Sequence, residues 1–192
     1  MPNVLAIYAS PRGDHSNSRE LAQELATKLA GGSSITEREL IDSDLPYVTN
    51  EMIGAYFSNP AEHTDDQKRV VRDSNNYVSE LKAADIVVIG TPMYNFTVPG
   101  TLKTWIDLVA RVGQTFQYGA NGPEGLLKNK KAYVVAATGG TPIGSPYDHL
   151  TPYLKTFLGF LGITDVTIVP AVIPMADPEA GLKEAKQVVA AV

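Results

Sequence analysis

Residues 86–100 read IVVIGTPMYNFTVPG, a short apolar run that passes directly into an unusual turn. Continuous apolar runs of this length are typical of strands that are buried on both faces of a parallel sheet. Most turns carry small polar residues, whereas residues 93–96 place a methionine, two aromatics and an asparagine here. The stretch therefore predicts a buried strand over 86–90 and gives its far end a role beyond reversing the chain.

The same buried-strand pattern recurs at residues 4–9, 132–137 and 166–170. A fifth strand is predicted at 34–40, where isolated apolar residues stand among charged ones, as they do at the edge of a sheet. Segments with the apolar spacing of helices separate these strands. The predicted helices cover residues 18–29, 64–84, 100–111 and 151–161, and a last one opens with Asp177 as N-cap and Pro178 at its first position.

This alternation of strands and helices predicts one doubly wound α/β domain over residues 1–192. The expected architecture is flavodoxin-like, a three-layer sandwich whose five-stranded parallel sheet has the order 2-1-3-4-5 and carries helices on both faces. The longest irregular stretch spans residues 41–63, in which EMIGAYF (51–57) suggests a short helix. Loops of this length are often functional, and a solvated excursion is an equally good interpretation.

The composition excludes several classes of site and partner. The chain has no cysteine, which rules out disulfides, thiolate nucleophiles and zinc–thiolate sites, and no histidine–carboxylate cluster has the spacing of a metal site. A net charge of -5 without a basic cluster argues against a nucleic-acid partner. No apolar run approaches the ~20 residues of a membrane span, and the first residues lack a basic signal-peptide region. We expect a cytoplasmic protein without a membrane partner.

The end of the first predicted strand has the features of an anion site. In open α/β sheets, ligands bind beyond the carboxyl ends of the strands where the strand order reverses, here between the first and third strands. The first strand leads into a helix whose free N–H groups and dipole attract an anion. The polar side chains before that helix belong to Ser10, Ser16, Asn17 and Ser18. This pattern favours a phosphate site assisted by Arg12 and Arg19, and simple helix capping is the alternative.

The third and fourth strands end in segments that suit a planar ligand, which needs an apolar face beside it and hydrogen bonds at its edges. The segment 92–96 offers both, although packing alone is the alternative for Met93. The fourth strand runs into two glycines at 139–140, which let the backbone approach a ligand closely or simply form a turn. Neither a P-loop nor a G-x-G-x-x-G fingerprint is present. Three such strand ends converging on one crevice favour a cofactor site.

These strand ends, together with three longer motifs, resemble one family over essentially the full length. The motifs are LKTWIDLVARVGQTFQY (102–118), NGPEGL (121–126) and TPYLKTFLGFLGI (151–163). The chain is similar to the FMN-dependent NADH-azoreductases, also called FMN-dependent NADH:quinone oxidoreductases. The resemblance implies an enzyme with bound FMN that transfers two electrons as hydride from NADH or NADPH to quinones and aromatic azo compounds, by a ping-pong scheme. It also implies a homodimer with active sites at the interface.

The resemblance assigns roles to residues by position. Phosphate and ribityl contacts fall to Ser10, Ser16, Asn17 and Ser18. The border of the isoalloxazine ring falls to Pro92, Met93, Tyr94, Asn95 and Phe96, and its pyrimidine edge to Ala137, Thr138, Gly139 and Gly140. No catalytic side chain is assigned beyond Asn95 as a candidate, because the chemistry is centred on the flavin. Tyr118 and Phe160 are expected to wall the substrate cavity, with Phe160 coming from the opposite subunit.

One motif departs from the family pattern, and other functions remain open. The family often has Ser-Arg-Gly-Gly where this chain has Ala-Thr-Gly-Gly at 137–140, so an arginine and a serine hydroxyl are missing. Side-chain contacts from 137 and 138 and the preference between NADH and NADPH depend on that difference. A flavodoxin-like electron carrier is one alternative function. A flavin reductase or nitroreductase on the same scaffold is another.

Overall fold

The computed structural model describes residues 1–192 and is built on a five-stranded parallel sheet. Its strands are β1 (Val4–Tyr8), β2 (Ile35–Glu39), β3 (Ile86–Pro92), β6 (Lys131–Thr138) and β7 (Asp165–Val172), and a separate antiparallel hairpin contains β4 (Phe116–Gly119) and β5 (Gly122–Gly125). The spatial order is β2-β1-β3-β6-β7. When only the five sheet strands are counted, this is the predicted order 2-1-3-4-5.

Helices cover both faces of the sheet. They are α1 (Asn17–Ala30), α2 (Asn50–Tyr56), α3 (Asp65–Val70), α4 (Arg72–Ala83), α5 (Gly100–Val109), α6 (Leu150–Leu161) and α7 (Pro178–Ala191). Alternate residues of β1 point to opposite faces, so that Leu5 and Ile7 share a core with α4, α5 and α6, while Ala6 packs with α1 and α7. None of these helices combines the length and the apolar character that crossing a membrane requires.

The single helix predicted over 64–84 was wrong, because the chain kinks between α3 and α4. The predicted N-cap is confirmed: Thr64 Oγ1 accepts from the Gln67 N–H at 3.2 Å, and the Gln67 side chain accepts from the Thr64 N–H at 2.9 Å. The kink lies at Val71, where φ is -99° and ψ is 0°. Val71 is fully buried whereas no residue of α3 is. The kink therefore turns a β-branched side chain, a weak helix former, into the core.

The β4–β5 hairpin was not predicted. Its strands have four residues each, and most of their side chains are exposed, so they lack an apolar alternation that sequence patterning can detect. The hairpin packs on the end of α6, where a Cβ at Gly125 would lie 2.0 Å from the Gly162 nitrogen. By contrast, the short helix suggested at 51–57 and the edge strand at 34–40 are confirmed as α2 and β2.

Gly90 lets α1 pack directly on β3. A Cβ at this position would lie 2.6 Å from both the Ala22 Cβ and the Ser18 carbonyl oxygen. Because Gly90 pairs with Tyr8 in the β1–β3 register, the same contact holds the first turn of α1 beside the ends of both strands. Because Gly90 has no side chain, the position of α1 is fixed relative to any ligand bound at this edge of the sheet.

Gly90→Ala should lower the free energy of unfolding by about 1–3 kcal/mol, because the added methyl group fits only if α1 moves away from β3. Gly54→Ala is the matched control, since a Cβ there meets nothing within 4 Å. Gly54 lies inside α2, so its replacement should leave stability unchanged or raise it by up to about 1 kcal/mol. Urea denaturation of both variants measures the difference, and equal stabilities would contradict the proposed role of Gly90.

Candidate functional site

A cleft of about 360 Å³ opens at the carboxyl edge of the sheet, where β1, β3 and β6 end side by side. Its volume lies within the range of about 300–1,000 Å³ that is usual for small-molecule and cofactor sites. Most of the residues predicted to contact a cofactor line it. They are Ser10, Ser16, Asn17, Ser18, Pro92, Met93, Tyr94, Ala137, Thr138 and Gly139. The structure thus brings the three predicted strand ends together.

The end of the fifth sheet strand completes the cleft and was missed by the sequence analysis. Ile173, Met175 and Pro178 line the cleft beyond β7, and Arg12 lines it from the β1 side. The position of these residues could have predicted their role, because the carboxyl ends of all parallel strands in such a sheet lie at the same edge. Asn95, Phe96 and Gly140 lie on the lining loops but do not themselves line the cleft.

The two predicted substrate residues lie apart from the cleft. The ring of Phe116 is 4.4 Å from that of Phe160 and 5.6 Å from that of Tyr118, measured between centroids. Tyr118 is 71% exposed, so this aromatic cluster presents a free face to its surroundings. Within one chain neither residue lines the cleft.

The α1 side of the cleft presents buried hydroxyl groups at a helix N-terminus. Ser10, Ser16 and Ser18 are all buried, and the Ser16 and Ser18 Oγ atoms are 3.1 Å apart. Ser16 is the N-cap of α1, because its Oγ accepts from the Arg19 N–H at 3.3 Å. The first turn still leaves N–H groups without partners inside the helix. Capping by Ser16 therefore leaves donors in the first turn that are available to an anion.

Arg19 does not assist this site, contrary to the prediction. Its guanidinium forms an ion pair with Glu39, lies 3.4 Å from Asp14, and sits 5.1 Å from the centre of the Tyr8 ring. Burial of Tyr8, together with the 2.8 Å hydrogen bond from its hydroxyl to Glu37, raises the pKa of Tyr8. Arg12 is left as the cationic residue that lines the cleft.

The loop after β3 is a tight turn in a strained conformation. The N–H groups of Tyr94 and Thr97 each donate to the other residue's carbonyl oxygen, at 3.0 and 3.1 Å. Between them, Asn95 has φ 48° and Phe96 has φ 70°, the left-handed pair of a type I′ turn. Asparagine accepts this conformation readily, but phenylalanine rarely does. Such strain, of order 1–3 kcal/mol, persists only where the surroundings hold it, and it clusters at functional sites.

Contacts from two neighbouring segments hold the strained turn. The His149 N–H donates to the Phe96 carbonyl oxygen at 3.0 Å, and the Phe96 and Tyr147 rings lie 5.9 Å apart. On the other side, the Met93 N–H donates to the Ala137 carbonyl oxygen at 2.7 Å. The backbone N–H groups of the two central turn residues donate to no protein acceptor. The turn therefore presents free donors from a fixed backbone.

The loop after β6 also offers backbone rather than side chains. The Thr138 hydroxyl donates to the Thr141 carbonyl oxygen at 2.7 Å, so it stabilises the loop itself. Gly140 has φ 132°, a conformation that requires glycine. The N–H groups of Gly139 and Gly140 have no protein acceptor. With Ala137-Thr138 in place of the Ser-Arg that is frequent in the family, the hydrogen-bonding groups that this loop leaves available are those of its backbone.

Comparison with known proteins places this site in a family. The chain matches the family described by its flavodoxin-like fold over residues 2–192. It is 44% identical over 191 residues to FMN-dependent NADH:quinone oxidoreductase 1 of Hahella chejuensis, covering 98% of this chain and 93% of that protein. It is 43% identical over 198 residues to the FMN-dependent NADH:quinone oxidoreductase of Burkholderia pseudomallei strain K96243, covering 100% of both. The chain belongs to the FMN-dependent NADH:quinone oxidoreductase family.

Solved structures agree with this assignment. The azoreductase from Bacillus anthracis str. Sterne superposes with a TM-score of 0.85 at 28% identity, covering 100% of both chains. An FMN-dependent NADH-azoreductase from Bacillus anthracis str. Ames Ancestor, solved in complex with FMN, gives a TM-score of 0.83 at 28% identity, covering 98% of this chain and 97% of that one. The family resemblance inferred from the motifs is confirmed.

Asp148 fixes the loop that carries Tyr147 and was not singled out in the sequence. Its buried carboxylate accepts from the N–H groups of Gly144, Leu150 and Thr151 at 2.9, 3.1 and 2.9 Å, and from the Thr151 hydroxyl at 2.5 Å. Burial alone raises the pKa of Asp148, but these hydrogen bonds outweigh it and leave the pKa below the ordinary value of 3.8. The charged carboxylate therefore stabilises the folded loop.

Asp148→Asn should cost about 1–3 kcal/mol of unfolding free energy at pH 7, because an amide cannot accept the same set of donors. A carboxyl group whose pKa is lower in the folded than in the unfolded state contributes its full stabilisation at a pH above its unfolded pKa. That contribution is lost as the pH falls through its folded pKa. The gap between wild type and D148N should therefore close below about pH 4. Denaturant titrations from pH 3 to 7 measure the gap, with D66N at an exposed aspartate as control. A gap that stays constant to pH 3 would contradict this account.

Proposed function

We propose that the chain, acting as one domain over residues 1–192, is an FMN-dependent oxidoreductase. It takes hydride from NADH or NADPH and reduces quinones and aromatic azo compounds. The observation that carries the proposal is the convergence, in one cleft, of a hydroxyl-lined helix N-terminus, the apolar residues Met93 and Tyr94, and Gly139, whose N–H has no protein acceptor. Membership of a family whose named members are FMN-dependent NADH:quinone oxidoreductases supports it. The cytoplasmic location expected from the sequence stays a prediction.

The α1 side of the cleft fits the phosphate of FMN. A phosphate accepts hydrogen bonds only, and this side supplies the buried hydroxyls of Ser10, Ser16 and Ser18 and the free N–H groups of the first helical turn. Arg12 adds a positive charge. We assign the phosphate and the ribityl chain to these groups and to Asn17, as the family resemblance implies.

The β3 and β6 loops fit the ring of FMN. Met93 and Tyr94 give apolar surface, and Pro92 and Ala137 line the same part of the cleft. The free N–H of Gly139 lines the cleft, and the free N–H groups of Asn95, Phe96 and Gly140 lie on the same two loops. We assign them as preorganised donors for the polar edge of the ring. Bound FMN supplies the hydride chemistry, and the residues of the chain orient it and stabilise negative charge at its edge. Asn95 stays the candidate catalytic side chain that the family resemblance implies, although it does not line the cleft.

A second copy of the chain completes the proposed site. Tyr94, which lines the cleft, is 38% exposed, and the neighbouring Phe96 is 50% exposed, so apolar surface beside the cleft is open to a partner. The aromatic cluster of Tyr118 and Phe160 lies outside its own cleft and offers the apolar surface that an open flavin site lacks. We propose a homodimer in which Phe160 of each chain walls the substrate cavity of its partner, next to Tyr118.

The purified protein should bind FMN and show a flavin absorption spectrum that NADH bleaches. Ser10→Ala combined with Ser18→Ala should weaken FMN binding by roughly tenfold or more, because two buried donors to a charged phosphate are lost. Ser79→Ala, on the exposed side of α4, is the control and should leave the affinity unchanged. A colourless protein that binds no added FMN would overturn the proposed function.

Steady-state kinetics should follow a ping-pong pattern, because NADH or NADPH and the acceptor are expected to occupy one side of the cleft in turn. Double-reciprocal plots at several quinone concentrations should be parallel. Intersecting lines would mean that both substrates bind together, as they would in a larger cleft. NADH oxidation that depends on a quinone also separates this enzyme from an electron carrier, which needs a protein partner.

Mixed dimers test whether Phe160 acts across the interface. A chain with Phe160→Ala keeps its own cleft, and a Ser10→Ala, Ser18→Ala chain keeps its Phe160. If Phe160 serves the partner, mixing the two weakly active variants should restore up to about one complete site per dimer, whereas each variant alone should reduce quinone poorly. Absence of recovery in mixed dimers isolated by two affinity tags would contradict the cross-subunit role.

A further inference from the structure

A second cavity, of about 380 Å³, lies between the end of α2 and the turn that follows α5. Tyr56 and Phe57 line it from the α2 side, and Arg111 and Gln114 line it from the turn. None of its lining residues lines the proposed flavin cleft. It is therefore a separate feature of the molecule, and nothing in the proposed reaction uses it.

Arg111 is a buried cation without a carboxylate partner. The residue is 2% exposed and forms no ion pair. Its Nη1 donates to the Ser74 Oγ at 2.6 Å and to the Asn75 Oδ1 at 3.1 Å, and its guanidinium lies 3.8 Å from the centre of the Tyr56 ring. A buried charge that lacks a counter-ion is costly, so its retention requires a compensating interaction.

The protein around Arg111 compensates its charge only in part. The stacked Tyr56 ring and the carbonyl end of α5 both favour a cation, yet burial still lowers the pKa of Arg111. An arginine nevertheless stays protonated in proteins. No acidic residue lines the cavity, and the Gln114 side chain there accepts from Lys82 Nζ at 2.7 Å, which adds a second cation nearby.

Two residues that line the cavity have hydrogen-bonding groups without a partner. The Arg111 Nε is buried and has no acceptor, and its Nη2 forms no hydrogen bond. The hydroxyl of Tyr56 is also buried without a partner. Buried polar groups in proteins are normally satisfied, so each such group needs an explanation. A carboxylate or phosphate group accepts only, and it matches guanidinium geometry in two-point contacts.

We propose that this cavity binds a small molecule through an oxyanion group, with Arg111 as the counter-ion. The Tyr56 hydroxyl donates a further hydrogen bond, and Phe57 contributes apolar surface for the body of the ligand. The shared chemistry is a carboxylate or a phosphate, and the choice between them is open to experiment. The proposed site does not depend on the function assigned to the flavin cleft, and the test uses FMN only to keep that cleft occupied.

The test uses FMN-saturated protein, so that anions cannot report by entering the flavin cleft. Inorganic phosphate and benzoate are titrated separately at constant ionic strength, and binding is followed by the thermal midpoint and by the fluorescence of Trp105, the single tryptophan, which lies on α5. At least one probe should give a saturable response. Arg111→Met should weaken that response roughly tenfold or more, whereas Arg69→Met, at an exposed arginine paired with Asp66, should leave it intact. The preferred probe identifies the oxyanion class.

A second variant keeps the test decisive, because removing a buried guanidinium also changes folding. Tyr56→Phe keeps the stacked ring and removes only the unpartnered hydroxyl, so it should weaken binding severalfold while the protein stays folded. No saturable response to either probe in wild type, or equal responses in wild type and R111M, overturns the proposal. Dissociation of the dimer in R111M, without anion binding by wild type, would instead show that a partner's carboxylate fills the cavity, and it also overturns the proposal.

Discussion

The direct packing of α1 on β3 at Gly90 is the contact on which the cleft depends. Because no side chain separates them, the first turn of α1 lies at the level where β1 and β3 end. Ser16 and Ser18 are thereby brought beside the loop that begins at Met93. If a side chain at position 90 held α1 farther from β3, the helix would still cover the sheet. Its N–H groups, however, would no longer line the same cavity as that loop.

Sequence patterning predicted the features that depend on continuous burial. Four of the five sheet strands follow from short apolar runs, since such runs are stable only when covered on both sides. The fifth, β2, was predicted as an edge strand from apolar residues set among charged ones. The kink at Val71 and the β4–β5 hairpin were missed because tertiary contacts decide them: one buried valine, and one glycine pressed against α6. Local propensity carries little information about either.

Site residues that directly follow a buried strand were predictable from the sequence. Residues whose side chains have two alternative hydrogen-bonding or ionic partners were not. Ser10, Met93 and Gly139 were found because each directly follows a buried strand. Arg19 was assigned wrongly because its position beside the anion site is compatible with two directions, and the neighbouring Glu39 attracts it away. Ile173 escaped notice because a single apolar residue after a strand is ordinary in any sequence. At the Ala137-Thr138 departure, the donors that the loop leaves available are its peptide groups, which do not depend on the side chains at 137 and 138.

The left-handed conformation of Phe96 has a consequence for protein engineering. Glycine would occupy φ 70° without strain, so its introduction there would remove a local cost of order 1 kcal/mol or more. Selection for heat resistance alone would therefore tend to replace this phenylalanine. The same replacement would delete the ring that lies against Tyr147, and with it one of the contacts that hold the turn. At this position, thermal stability favours glycine, whereas the aromatic contact with Tyr147 requires phenylalanine or a similar ring.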